Sequence, residues 1–596
     1  TLKAQDAGAD AYNVAMGYRA GYAVTTAVNN ITIGAEAGIA LTTGSYNVAV
    51  GHGALATEDT GGRNTAMGYR ALNSLNNDAS SYNVAVGYDA GANVTIGTFN
   101  TLVGGLAGDA LVGGERNTAV GGYALSTEQD GGYSVAVGYA ALQTQNVGPT
   151  AYNVAVGYYT GQAITTGVQN TIIGGLAGDV LTTGSQNVAI GYHALGTEDT
   201  GSRNIAIGYA ALMQQDYNGD AYNIAIGYST GGVVSTGIKN TLIGGLAGDA
   251  LSTGHYNVAI GYGALSAETA YGMNIAIGAN ALLTLDAGAD GTNVAIGHDA
   301  GVNMTTGIEN ILMGKSAGDA ITSGGHHVAI GHEALATEDV RSGNVAIGFQ
   351  ALKTQNADAN TYSVAVGYQA LTASTLGLRN VAVGGFAGVA ITEGDDNIAI
   401  GHGALNAEDG GNRSVAIGSY SLYVQDSTDT NNNVGVGYNT GKAVTSGIQN
   451  TFIGAEAGNV FTTGENVTAL GYSAQPSAVG VDDEITLGNG NIATLRCQVT
   501  SITSLSDKRD KTNINTLDKG LEFVDTLKPV KFEWNTRDGA KKGIKDIGFI
   551  AQDLQEVDDE YTNLVYDINP EKLEASYGRL VPVLVKAVQE LSAEVK

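Results

Sequence analysis

Two residues towards the C-terminal end have the types and spacing that nucleophilic chemistry requires. Ser506 opens the run Ser506-Asp507-Lys508-Arg509-Asp510-Lys511-Thr512-Asn513-Ile514, and Lys511 follows it by five positions. A serine hydroxyl is a poor nucleophile until a base takes its proton, and a lysine amine is a base only when burial or a cationic neighbour lowers its pKa. Lys508 and Arg509 supply positive charge in the same run. On the residues alone a second reading stands beside this one: Ser506-Asp507 caps a helix ahead of a solvated stretch of charge.

Other residue groups invite chemistry and read more simply as structure. Gly104-Gly105-Leu106-Ala107-Gly108 has the look of a phosphate loop, but copies of it recur along the chain and no βαβ unit surrounds them, so they read as turns. His326-His327 is the one adjacent pair among eight histidines, and no metal site is expected from it. Glu58, Glu128, Glu198, Glu268, Glu338 and Glu408 recur at one fixed interval and are expected to form a solvated acidic stripe, with divalent cation binding as the lesser alternative. Tyr192, Tyr209 and Tyr228 occupy equivalent places in successive repeats; such ladders serve packing, and an exposed run could also stack on sugar rings. No cofactor and no metal are expected.

The element that must position all of these is a repeat. The phrase Asn, apolar, Ala, apolar, Gly returns as Asn13-Val14-Ala15-Met16-Gly17 and Asn187-Val188-Ala189-Ile190-Gly191. Its Asn slot falls at 13, 30, 47, 64, then at 83, 100, 117, 134, and the 70-residue frame continues without slip through 433 to a final slot at Glu484, giving 28 slots. Substitutions in this slot are few, such as Ser134, Ser363, Ser414 and His327. Apolar residues alternate within the phrase, which is strand periodicity. A strand this short cannot bury its own apolar face, but stacked copies bury a continuous one, so each slot is expected to open one coil of a β-solenoid. At a strand spacing of about 4.8 Å, 28 coils would make a rod roughly 130 Å long. Asn at one place in every coil can bond its neighbours' backbone in a ladder, and Gly permits turn conformations closed to other residues. The alanine face fits either a tight interior or a contact between subunits.

Composition places the boundary. The first 505 residues hold 14 basic and 39 acidic residues and 83 of the 88 glycines, whereas the last 91 hold 14 basic and 18 acidic. The expected organisation is a lead-in at 1–12, a solenoid shaft at 13–488, a linker at 489–505 and a separate module at 506–596. The net charge of −29 excludes nucleic acid as a partner, because phosphate binding needs clustered Lys and Arg. The single cysteine, Cys497, reads as a small buried hydrophobe. No apolar run reaches membrane-spanning length and Thr1–Asp10 is not a signal peptide, so no membrane insertion is expected; the absence of an initial Met allows a preceding segment.

Over residues 13 to 488 the phrase, as in Asn204-Ile205-Ala206-Ile207-Gly208, resembles the left-handed β-roll repeat in the head domain of trimeric bacterial adhesins. The coils here are longer and fall into groups of four. From Ser506 onward the chain shows four motifs in order: the Ser506–Ile514 run; Leu527-Lys528-Pro529-Val530 with Phe532-Glu533-Trp534; Ile547-Gly548-Phe549-Ile550-Ala551-Gln552-Asp553; and Tyr577-Gly578-Arg579-Leu580-Val581-Pro582 before an apolar helix. This module is similar to the endosialidase-type intramolecular chaperone at the ends of phage tail spikes, fibres and neck appendages.

That resemblance implies a mainly β homotrimer: a long solenoid shaft with a small α+β chaperone ending in a helix, in which Leu580, Leu584, Ala587 and Leu591 would form a short seam between chains. It further implies that Ser506 and Lys511 release the chaperone after assembly by cutting between Leu505 and Ser506, a single-turnover serine peptidase with no external substrate. The function expected is that of a phage tail fibre subunit for host attachment. It would be made in the host cytoplasm and carried on the virion outside the cell, joined to other virion tail proteins at its N-terminus and to a host cell-surface receptor such as a polysaccharide. A bacterial surface adhesin and a polysaccharide depolymerase spike are the alternatives; the latter needs paired carboxylates in a groove, and the repeats leave no irregular domain to build one.

Overall fold

The computed structural model describes residues 1–596 apart from 9, 429, 493, 497, 499–505 and 538–540. Cys497 and Leu505 therefore lie outside the described residues.

Among the described residues, each of the 28 slots is followed at once by a three-residue strand, from β1 (Val14–Met16) to β28 (Ile485–Leu487). The chain is mainly β, a parallel β-solenoid of 28 turns followed by a small α+β region that ends in a helix. It divides into two compact units, Thr1–Gln350 with Asp358–Asn360, and Ala351–Ala357 with Thr361–Lys596. The first holds β1 to β20 (Val345–Ile347); the second holds β21 (Val364–Val366) to β28 and the α+β region. Within each unit every strand pairs in parallel with that of the next turn. Between β11 (Val188–Ile190) and β12 (Ile205–Ile207), for example, Val188 lies opposite Ile205, Ala189 opposite Ala206 and Ile190 opposite Ile207. No helix among the described residues is long and apolar enough to cross a membrane.

The alternation decides which way each strand faces. The middle residue is buried and its two neighbours are half-exposed in almost every turn, as for Val188-Ala189-Ile190. The alanine face is thus the interior, and of the two readings open at the sequence level the subunit-contact one is set aside. In the second turn of five of the seven frames a larger residue, Leu102, Ile172, Leu242, Leu312 or Phe452, takes the buried middle place, where the other two have Thr32 and Ala382, so in those five frames one larger side chain follows three small ones along the interior.

Register is held by the slot residue. The backbone N–H of Asn187 donates to Asn170 Oδ1 at 2.9 Å, its own Oδ1 accepts from the N–H of Asn204 at 2.9 Å, and its Nδ2 donates to the Gly201 carbonyl at 2.9 Å. All three atoms are buried, so the Asn187 carboxamide satisfies groups of the next turn that would otherwise have no partner. At Asn64 and Asn274, in the fourth slot of their frames, the Oδ1 bond is kept, but Nδ2 turns back to a carbonyl two residues before it. His327 reproduces this pattern with an imidazole: Nε2–H donates to the Arg341 carbonyl at 2.5 Å and Nδ1 accepts from the N–H of Asn344 at 3.3 Å. Burial pushes its pKa down to about 4, which keeps the accepting nitrogen free of a proton. The glycine after the strand answers to stacking as well as to conformation. At Gly191, φ is 136°, and a Cβ would lie 2.2 Å from the carbonyl oxygen of Gly208 in the next turn.

The recurring glutamates are not a solvated stripe. All six are fully buried. Glu58 accepts from the N–H of Gly61 at 2.6 Å and of Asn77 at 3.2 Å, tying a turn to its successor, while Glu128 accepts from Gly131, from Val147 and from Gln145 Nε2. Backbone donors in a tight turn take the place of water, which is why a charged residue sits inside. Burial pushes the carboxyls of Glu58, Glu198, Glu338 and Glu408 upward, that of Glu338 to about 7.

Two outcomes follow. Replacing Asn187 by Ala leaves the Asn204 N–H and the Gly201 carbonyl unpaired in the interior, and should lower shaft stability by on the order of 3 kcal/mol, read from unfolding rates in guanidinium. Asn187→Ser, which copies slots 134, 363 and 414, should lose less. Because the Glu338 pKa is raised on folding, its contribution is complete below about pH 4.5 and is lost as pH rises through about 7. Thermal melting at pH 4.5 and pH 8 should therefore show a larger loss in the unmodified chain than in Glu338→Gln, by on the order of 2 kcal/mol; equal losses would contradict this.

Candidate functional site

The α+β region is built around Leu554, Leu564 and Leu580, with Phe523, Leu527, Phe549, Val565 and Ala575 packed against them. Its elements are α1 (Leu521–Thr526), the antiparallel pair β29 (Val530–Asn535) and β30 (Lys542–Gly548), α2 (Ala551–Gln555), the short pair β31 (Val565–Tyr566) and β32 (Glu574–Ala575), and α3 (Leu580–Glu594). The sequence motifs meet in space. Tyr577 Oη accepts from the N–H of Phe549 at 3.0 Å, and a Cβ on Gly548 would lie 2.5 Å from that oxygen. Glu590 on α3 accepts from the N–H of Leu521 at 2.7 Å, so α3 supplies the side-chain cap that Gly520 cannot give α1.

The run that opens the module forms one turn of 3₁₀ helix, Lys508–Asp510. Asp507 caps it, accepting from the N–H of Arg509 at 2.8 Å. The capping role thus falls to Asp507 and leaves the Ser506 hydroxyl to another partner. After the turn the chain becomes extended at Lys511, and Lys511 Nζ donates to Ser506 Oγ at 2.5 Å. The structure therefore brings together the two residues picked out by spacing. Both are exposed in the single chain.

The electrostatic setting differs from expectation at one point. Arg509 grips the Asp507 carboxylate through Nε and Nη2, the latter at 2.6 Å, and this pairing holds the Asp507 carboxyl below the usual range. Its charge is engaged locally rather than directed at Lys511. The carbonyl of Leu505, on the other side of the expected cut, lies outside the described residues.

The module also touches the last turn of the solenoid. Glu484, in the final slot, accepts from Ser477 through both N–H and Oγ, from Thr486 Oγ1 at 2.8 Å and from the Tyr566 hydroxyl at 3.3 Å, and Asn569 Nδ2 donates to the Ser477 carbonyl at 3.2 Å. Against the upward push of its burial, these hydrogen bonds hold the Glu484 carboxyl below its ordinary value. The carboxamide ladder itself ends at Asn450, whose Oδ1 accepts from the N–H of Val467, and the Glu484 carboxylate instead offers an acceptor to the module.

The seam on α3 is displaced from the one expected. Leu580 and Ala587 are buried in their own module together with Val583. Val581, Leu584, Val588 and Leu591, at spacings of three, four and three, are exposed instead. Two valines carry the signal, which an inspection confined to leucine and alanine passes over.

Fold and site together define a class: a parallel β-solenoid whose C-terminal module carries a serine and a lysine in contact at its first turn. Residues 506–566 match the family described as chaperone of endosialidase, Peptidase S74, beginning at Ser506 itself. For this segment the family implies a self-cleaving intramolecular chaperone and trimeric assembly. No curated protein and no solved structure matches the chain.

Proposed function

We propose that the chain is one subunit of a homotrimeric phage tail fibre, exported on the virion for attachment to a host surface, and that its C-terminal module assembles the trimer and then cuts itself away. The observation that carries this reading is the match of residues 506–566 to the endosialidase chaperone family directly behind a 28-turn β-solenoid. In the proposed organisation residues 13–488 are the shaft, 489–505 the linker and 506–596 the removable chaperone.

Two exposed apolar surfaces support association. Along the solenoid, the residues flanking each buried alanine, such as Val188 and Ile190, form a half-exposed stripe of β-branched side chains. On α3, Val581, Leu584, Val588 and Leu591 form an apolar seam of coiled-coil spacing that is not covered by the chain itself. Three copies would cover both.

Association also bears on the chemistry. Desolvation disfavours an ammonium, so burying Lys511 between chains lowers its pKa and lets the neutral amine take the Ser506 proton. Ser506 Oγ then attacks the Leu505 carbonyl carbon, and the Leu505–Ser506 C–N bond breaks as Lys511 returns the proton to the departing Ser506 nitrogen. The resulting Leu505 ester is hydrolysed by one water, leaving a carboxylate on Leu505 and a free amine and hydroxyl on Ser506. Cutting makes assembly one-way, since long-range β stacking forms slowly and a template is needed only until it is complete.

Ser506→Ala and Lys511→Ala should each retain trimers in native mass measurement yet leave a single uncut 596-residue band on a denaturing gel, whereas the unmodified chain should give fragments of 505 and 91 residues. Cleavage between 505 and 506 in both variants, or a native mass of a monomer for the intact chain, would contradict the reading.

A further inference from the structure

The residue after the strand glycine builds a ladder of exposed rings along one edge of the solenoid. Tyr192 and Tyr209 stack at 5.7 Å between centroids with planes 18° apart, and Tyr209 and Tyr228 at 5.3 Å and 11°. The ladder is interrupted on both sides of this trio. Gly175 stands between Tyr158 and Tyr192, and Gly245 between Tyr228 and Tyr262, on turns whose strands pair in register. A Cβ at Gly175 would lie 3.6 Å from the ring of Tyr192, and one at Gly245 would lie 3.6 Å from that of Tyr262; apart from the adjoining residues, no other side chain comes within 4 Å of either position. Each glycine thus leaves two tyrosines on turns about two strand spacings apart, roughly 9.6 Å, with no ring on the glycine itself to stand between them; at the first gap Tyr158 meets Tyr159 edge-on at 4.2 Å and Tyr192 meets His193 edge-on at 4.5 Å. The four tyrosines are 48–63% exposed.

The chain itself shows what such a gap holds. At the equivalent Gly385, between Tyr368 and His402, the ring of Phe386 sits edge-on to both, 5.2 Å from Tyr368 and 5.8 Å from His402. Leu176 and Leu246 occupy the place of Phe386 beside the other two glycines, with the same left-handed backbone, φ 56° and 59° against 58°. A six-membered ring is therefore the natural occupant, and at Gly175 and Gly245 the chain supplies none of its own.

We propose that the gaps at Gly175 and Gly245 are sugar-binding subsites, each clasping one pyranose ring of a neutral polysaccharide between two tyrosines. This rests on the attachment-fibre reading and names the receptor class. A pyranose has apolar C–H faces and a rim of hydroxyls, which matches two ring faces with phenolic hydroxyls at their outer ends. Tyrosine offers this rigid amphipathic area with little loss of side-chain freedom. The neutral class follows from charge: 39 acidic against 14 basic residues over the first 505 repel polyanions, whether anionic glycans or nucleic acids. A polymer rather than a short oligosaccharide follows from repetition, since the two gaps lie four turns apart, about 19 Å, and one chain spanning both gains avidity.

The test uses the assembled full chain in affinity gels containing dextran, galactomannan or xyloglucan, with hyaluronate as the anionic control. At least one neutral polymer should retard the trimer and hyaluronate should not. The double variant Leu176→Phe with Leu246→Phe, which fills both gaps in the manner of Phe386 and removes no ring, should weaken that retardation at least tenfold while leaving the melting temperature unchanged. Absence of retardation by every neutral polymer, including the case in which a second copy covers the ladder, or equal retardation of the double variant, would overturn the proposal. Trimer formation and self-cleavage are read on the same samples without polysaccharide, so their failure counts against the fibre reading and not against the subsites alone.

Discussion

The buried carboxamide in the slot is the interaction on which the rest of the molecule depends. A three-residue strand has too little backbone pairing to hold its place, and the turns between strands are rich in residues with left-handed backbone that have no helix or sheet to stabilise them. Asn187 accepts from one neighbouring turn and donates to its far side, so a single side chain sets the height and the rotation of the next coil. Because both its partners are buried backbone groups, a one-residue slip leaves them unpaired. The spacing of 17 and 19 residues, the alanine interior and the close approach at each strand glycine all presuppose that this bond is made.

Much of this was legible because the repeat is written in one slot and one alternation. The period placed all 28 strands, from Val14 to Leu487, although each is three residues long and begins one residue after its slot, where four or five residues opening at the slot were expected. The direction of the alanine face was not legible, since a period of two says that faces alternate and not which one is inside. The glutamates misled for a related reason. A recurring charge is ordinarily outside, and the donors that make Glu58 tolerable inside, Gly61 and Asn77, are backbone groups that leave no trace in residue type. His327 looked like an anomaly in the slot until its two nitrogens were seen to copy a carboxamide.

At the candidate site the spacing of Ser506 and Lys511 was the readable part, and the 3₁₀ turn between them is the reason a separation of five serves. What sequence left open was the competition for the cap, settled in favour of Asp507, and the pairing of Arg509 with that same aspartate. The seam on α3 was displaced because Leu580 and Ala587 belong to the module's own core, and only packing separates such positions from those facing outward. A common pattern joins these cases. The solenoid buries the carboxamides and glutamates that join its turns, whereas the module leaves Ser506, Lys511 and the apolar row on α3 exposed.

In the proposed mechanism association, rather than folding of a single chain, prepares Lys511 to act. The rate at which the 505-residue fragment appears after dilution from denaturant should be measured over a hundredfold range of chain concentration. A rate that rises steeply with concentration at the dilute end and levels off once trimers form is the result expected. A first-order rate independent of concentration throughout would show that one chain suffices, and would contradict the account.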